Sequence, residues 1–333
     1  MTENHSDVVP PKTLRPTPLQ PGGGRHREPL VEKSRVAIKE GSKSFSAASR
    51  LFDRVTRERV WMLYAWCRRC DDLTDAQDMG GELGDQSGIE DRVKHLRVLT
   101  KAALDGQPTH DPAFDAFGLV ASEVGLTMED ADAVIEGFQL DAQDWRPRTE
   151  RDLMQYCWHV AGAVGVMMAL VMGVEREDAD TLDRACDLGL AFQLANISRD
   201  VVEDDAAGRC YIPAEWLVEE DIEPGQHTKP HHRQELADMV RQMVLMMERH
   251  AISARIGAAR LPFRSRWAIL SAARIYTAIG REVLRRGTAA WDSRVYTSKL
   301  HKIGHASAAF VEALVNSPPH LDHEPKWRRS DLT

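Results

Sequence analysis

A chain of 333 residues with 43% hydrophobic and 28% charged side chains is long enough to bury a large core. Its five cysteines do not describe a secreted disulfide framework, so the composition suits a reducing, cytoplasmic setting. A formal net charge of -8 argues against nucleic-acid binding, which depends on neutralising many phosphates.

Residues 1–33 include "VVPPKTLRPTPLQPGGGRHREP", which has no apolar core of a signal peptide and is expected to be a disordered leader. Gly22 to Gly24 fall within it and make no dinucleotide fingerprint. From about Ser34 to Asn316, apolar residues recur at three- and four-residue intervals with no run of alternating strands, which predicts an all-α protein. Breaks are predicted at "DMGGELGDQSG", "DGQPTHDP", "DWRPRT" and "IEPGQHTKPHH", and they separate helices rather than domains. The closing "NSPPHLDHEPKWRRSDLT" is expected to be disordered like the leader, which leaves one domain over residues 34–313.

Along that domain, "GSKSF" is first of all a helix start, because Ser42 or Ser44 precedes an apolar periodic run. Next, "YAWCRRCDDLTD" places Tyr64, Arg68, Asp71 and Asp75 at spacings of four, three and four, one stripe of a helix. Val60, Leu63, Cys67 and Cys70 form the apolar stripe beside it, and Asp72 lies next to the charged one. Cys67 and Cys70 have no second cysteine pair and no His pair at finger spacing, so neither a zinc site nor a redox motif is expected.

Tyr156 to Val174, "YCWHVAGAVGVMMALVMGV", has no Asp, Glu, Lys or Arg and meets the length criterion for a membrane span. His159, three glycines, acidic flanks and the lack of a second such run favour a buried central helix, with His159 a satisfied core residue. A second acidic cluster follows in "AFQLANISRDVVEDDAAGRCYIP". Asn196, Asp200 and Asp204 step by four at the end of an apolar helix, with Arg199 and Glu203 close by. Between Ala251 and Lys302, eleven Lys and Arg stand against Glu282 and Asp292, a basic segment suited to an arginine-rich surface, to diphosphates or to anionic lipid.

Like charges four residues apart destabilise a helix by about 0.2–0.5 kcal/mol per pair, and burial adds to that. Salt bridges from Arg68 and Arg199 could offset the repulsion. Two acidic helices with apolar edges also suit hard divalent cations, which would bridge them to a diphosphate while the apolar walls keep water from a carbocation.

The segments "GSKSFSAASRLF", "MLYAWCRRCDDLTD", "YCWHVAGAVGVMM", "AFQLANISRDVVEDDAAGRCYIPAEWL" and "RSRWAILSAARIYTAIGREV" together resemble the bacterial phytoene synthases of the squalene and phytoene synthase family. The resemblance implies a single-domain isoprenoid-synthase helical bundle with a central active-site cavity. Its expected activity is prenyl transfer: head-to-head condensation of two geranylgeranyl diphosphates, through prephytoene diphosphate, to 15-cis-phytoene. The rival substrate is farnesyl diphosphate, giving dehydrosqualene, squalene or presqualene diphosphate.

By the same resemblance, Asp71, Asp75, Asn196, Asp200 and Asp204 would hold Mg²⁺ or Mn²⁺, and Arg68 and Arg199 would bind diphosphate oxygens. Tyr64, Ser42, Lys43, Ser44, Phe45, Tyr211, Tyr276 and Arg294 match substrate-contacting positions, and "GSKSF" becomes a diphosphate-closing segment as well as a cap. No nicotinamide cofactor is expected. Expected partners are geranylgeranyl diphosphate, a membrane surface bound peripherally and other carotenoid enzymes, with no nucleic acid. Thr74 and Ser198 depart from the family pattern without replacing a ligand. A non-catalytic helical scaffold would be signalled by loss of the four aspartates, which are all present, and a calcium buffer would need a loop pattern that this chain lacks.

Overall fold

The computed structural model describes residues 27–75, 88–143 and 145–333, with Lys43 and Ser44 described by backbone alone. Among these residues there are helices and no strands. The first half runs through α1 (Arg27–Gly41), α2 (Lys43–Ser49), α3 (Arg54–Thr74), α4 (Ile89–Leu104), α5 (Pro112–Val124) and α6 (Met128–Ala142). Then α7 (Glu150–Cys157) passes through one π turn, Trp158–Gly162, into α8 (Ala163–Val171). The rest comprises α9 (Ala179–Ala206), α10 (Ala214–Glu219), α11 (Arg233–Ala258), α12 (Phe263–Arg286), α13 (Lys299–Val315) and α14 (Arg329–Leu332).

The sequence marks the starts of these helices chemically. Asp53, Asp111, Asp178 and Ser298 accept backbone N–H bonds at the heads of α3, α5, α9 and α13, and Thr127 and Thr149 complete capping boxes on α6 and α7. The predicted breaks between α4 and α5, α6 and α7, and α10 and α11 fall between helices, whereas most of "DMGGELGDQSG" lies outside the described residues.

One hydrophobic core joins most elements, α3 and α9 among them. Trp66 of α3 is fully buried, stacks on Phe117 of α5 at 4.2 Å and donates to Thr100 Oγ1 at 3.2 Å, so its polar atom is satisfied. On the other side of the bundle, α9 is clamped to α11 by a buried polar network. His250 Nδ1 lies 2.7 Å from Asp187 Oδ1, Ser253 donates its hydroxyl to the other carboxylate oxygen, and Arg184 donates to Ser253 at 3.0 Å.

The apolar run from Tyr156 lies in the core. The helix Glu150–Val171 is long and apolar enough to cross a membrane, yet 61% of its most apolar window is buried against protein. His159 is half-buried and bonded through Nδ1 to the Ala133 carbonyl at 2.8 Å, a satisfied histidine as expected. Glycine permits the tightest approach. A Cβ on Gly189 of α9 would stand 2.7 Å from the Gly162 Cα, and one on Gly165 would collide with the Ala185 carbonyl.

Two boundary expectations are corrected. Residues 27–33 belong to α1, where Leu30 is buried and Arg27 pairs with Glu58 at 2.9 Å. The segment after residue 313 is largely exposed but anchored at its far end: Leu332 is buried, Trp327 Nε1 donates to Glu150 at 2.7 Å, and Arg329 donates to Asp183 at 2.7 Å. Composition undervalues such a tail because a few well-placed anchors, here Trp327, Arg329 and Leu332, can dock an otherwise polar chain.

Candidate active site

The two acidic helices face each other across a polar chamber of about 430 Å³. From α3 come Tyr64, Arg68 and Asp71, and from α9 come Asn196, Arg199, Asp200 and Asp204. The chamber adjoins an apolar cavity of about 360 Å³, and Tyr64, Cys67, Val160, Val164, Gln193 and Asn196 belong to both walls. A charged chamber beside an apolar cavity suits a ligand with a charged head and an apolar tail.

The arginines are spent on the carboxylates. Arg68 donates to Asp71 at 2.6 Å and lies 3.4 Å from buried Asp72. Arg199 Nε donates to Asp200 at 2.7 Å, and Arg294, from beyond α12, adds two bonds of 3.1 Å to the same carboxylate. Asp75 caps the C-terminal end of α3 and receives Arg209 at 3.3 Å. The salt-bridge reading of Arg68 and Arg199 is the one these distances bear out.

Neutralisation is incomplete. Asp204 has no salt bridge among the described residues; burial first, then Asp200, pushes its carboxyl up to about 7. Burial also raises Asp71 to about 6, against the pull of Arg68 and with a push from Asp75. An oxygen-rich donor set with surplus negative charge suits a hard divalent cation. No group of three or more His, Cys, Asp or Glu able to cage a metal alone occurs among the described residues. A cation here would complete its shell with water or phosphate.

The remaining expected residues separate by role. Phe45 and Tyr276 line the apolar cavity rather than the chamber, their rings 6.0 Å apart, and Tyr276 stacks on Phe192 at 4.0 Å. Phe45 is also 6.2 Å from Tyr64, whose phenol burial pushes up to about 12. Ser42 caps α2, its hydroxyl accepting from the Phe45 N–H at 3.2 Å, and the side chains of Lys43 and Ser44 lie outside the description.

Three residues not singled out from sequence complete the chamber: Asp141, Tyr156 and Arg209. Tyr156 and Tyr211 stack at 4.7 Å and both donate to Asp141, at 3.2 and 3.1 Å. Burial raises Asp141 to about 6 and holds both phenols protonated. Asp141 lies in the last turn of α6 and Arg209 follows α9, so no spacing within one helix relates them. Their convergence depends on how α6, the π turn and the segment after α9 meet.

The chain matches the squalene/phytoene synthase family model over residues 38–301. It is 44% identical over 295 residues to a 15-cis-phytoene synthase of Pantoea ananas, covering 87% of this chain and 94% of that one. It is also 44% identical over 283 residues to a phytoene synthase of Pseudescherichia vulneris, covering 84% and 91%. A dehydrosqualene synthase crystal structure superposes with a TM-score of 0.76 at 24% identity, covering 87% of this chain and 98% of that one, a likeness of fold. The α3 and α9 carboxylates, the two adjoining spaces and these matches lead to one statement: the chain belongs to the squalene/phytoene synthase family.

Proposed function

We propose that this protein is a 15-cis-phytoene synthase, joining two geranylgeranyl diphosphates head to head through prephytoene diphosphate and releasing two diphosphates. The observation that carries this reading is the acidic chamber sharing walls with an apolar cavity. Relatives named as phytoene synthases at 44% identity favour the C20 donor over farnesyl diphosphate.

In this reading Asp71, Asp75, Asn196, Asp200 and Asp204 hold Mg²⁺ or Mn²⁺, which when bound neutralises charge on the departing diphosphate. Arg68 and Arg199 exchange a carboxylate partner for phosphate oxygens, to which guanidinium geometry is matched. Arg209 and Arg294 keep Asp75 and Asp200 oriented. Tyr64, with Phe45 and Tyr276 beyond it, walls the allylic carbons from water, and the Asp141 triad holds two phenols at the chamber's edge. No nicotinamide takes part.

Purified protein incubated with Mg²⁺ and either C20 or C15 diphosphate, without nicotinamide, should give phytoene from the first by mass spectrometry. A C30 hydrocarbon as the main product would replace this reading with the farnesyl one.

A hydrocarbon product needs a lipid phase, and α13 offers a surface for peripheral attachment. Positions 300, 303, 307, 311 and 314 form one stripe opposite buried Ala309 and Ala313, and Leu300, Ile303, Val311 and Leu314 on it are 59–80% exposed. Its first turn carries Lys299 and Lys302 and no acid, the reverse of what the helix dipole favours, and it closes the basic segment. Apolar stripe and cations together suit an anionic bilayer. Leu300→Ser/Ile303→Ser/Leu314→Ser should lower binding to phosphatidylglycerol vesicles at least about tenfold while keeping activity in detergent. Binding equal to the parent's, or a parental dimer lost in the variant with vesicle binding intact, would assign the stripe elsewhere. The bound parent should leave the vesicles in carbonate.

A further inference from the structure

A third pocket, of about 340 Å³, lies between α1, α2 and α3 and is lined by Arg35, Lys39, Arg50 and Arg57 with no carboxylate. Arg35 is held at the rim by Glu32, to which its Nε donates at 2.8 Å. Lys39, Arg50 and Arg57 have no salt bridge and no side-chain hydrogen bond among the described residues. In a chain whose net charge is -8 and whose other arginines are widely paired, exposed Lys39 and Arg50 and half-buried Arg57 make a local positive field around one cavity that suits an anion.

Arg57 makes the case sharper. Its guanidinium lies over the Trp61 ring at 5.5 Å, and its Nε is enclosed without a hydrogen-bond partner. A buried donor left unmade costs free energy that a ligand oxygen would recover. Ser46 brings a hydroxyl to the same wall. Two guanidinium groups, an ammonium and a hydroxyl converging on a small cavity match the several acceptor oxygens of a phosphate group.

The position of the pocket gives its occupant a consequence. Phe45, Ala48 and Ser49 of α2 line the apolar cavity, whereas Ser46 and Arg50 line the basic pocket, so α2 is the partition between them. Ile38 of α1 belongs to both walls.

We propose that this pocket binds a phosphate group, from free phosphate or from a phospholipid headgroup, and that the bound anion braces α2 against the cavity it covers. The site is independent of the chamber between α3 and α9 and of the reaction assigned to it.

The test uses the full chain in EDTA at fixed ionic strength. Inorganic phosphate should raise the melting temperature of the parent and bind it at least about tenfold more tightly than Lys39→Gln/Arg57→Gln, since each charge-assisted bond lost is worth that much. Phosphate taken up by the acidic chamber is common to both proteins and cancels in the comparison. Without phosphate the variant should melt close to the parent, because the relief of like-charge repulsion offsets the lost Arg57–Trp61 contact. Arg50→Gln, whose side chain is on the surface, supplies the same comparison should the double variant fold poorly. Vesicles of phosphatidylcholine with and without phosphatidylglycerol form the second arm. Discrimination by anionic vesicles but not by free phosphate assigns the headgroup as the source, and the converse assigns the solution anion. Parent and variants indistinguishable in both arms would overturn the proposal.

Discussion

Replacing Asp204 by Asn is expected to abolish turnover, by about 10³-fold or more, and at the same time to stabilise the metal-free protein at pH 8. The first effect follows from losing a ligand where metal offsets several kcal/mol of developing charge. The second follows from the carboxyl's position at about 7, raised by burial and by Asp200. A carboxyl raised in the folded state binds its proton more tightly there than in the unfolded chain. Its contribution to stability is therefore complete below an unfolded value of about 4 and lost as pH rises through about 7. Asn cannot ionise, so the gain at pH 8 should be on the order of 2 kcal/mol after solvent screening and should vanish near pH 4. Asp71, raised to about 6, should behave the same way more weakly when changed to Asn. Urea titrations at the two pH values, with Mg²⁺ and with EDTA, measure this. A variant that keeps its activity in Mg²⁺, or one equally destabilised at both pH values, would contradict the role given to this carboxylate.

The second large effect concerns packing. Gly189→Ala is expected to destabilise the fold by about 3 kcal/mol even though alanine is the better helix former. Its new methyl would lie 2.5 Å from the Ala161 carbonyl carbon and 2.7 Å from the Gly162 Cα, both backbone atoms of the neighbouring helix, which cannot rotate aside. Gly304→Ala on α13 is the control, because its Cβ meets nothing within 4 Å. That substitution should gain up to about 1 kcal/mol. Denaturation midpoints at unchanged m values separate the two, and a neutral Gly189→Ala would mean that the π turn and α9 are not held at this distance. Gly189 also lines the apolar cavity, so any residual activity of the variant should favour shorter donors.

The sequence was most informative where one helix carries its own pattern. The stripes on α3 and α9 could be read from four-residue spacing, because periodicity within a helix survives whatever packs against it. Cap residues such as Asp53 and Thr149 were legible for the same local reason. Residues brought in by tertiary folding were not. Arg209 meets Asp75 across 134 positions, and Asp141 collects two phenols from different elements. Phe45 and Tyr276 were expected among substrate contacts, but that they form a wall of the apolar space rather than the charged one depends on how α2 and α12 lie across it. The tail misled because composition counts apolar residues without saying where they land.

The π turn at Trp158–Gly162 has a consequence for the whole central helix. There the Ala163 N–H reaches back to the Trp158 carbonyl, one residue farther than an α-helix allows, so one extra residue is inserted into the spiral. Each added residue rotates everything downstream by about 100°. Tyr156 before the turn can thus face Asp141, while Gly165 after it faces α9. Losing that single residue would leave hydrophobicity and length almost unchanged, yet it would put one half of the helix out of phase with its partners. The irregular turn acts as a phase adjuster, letting one run of apolar chain keep two different appointments.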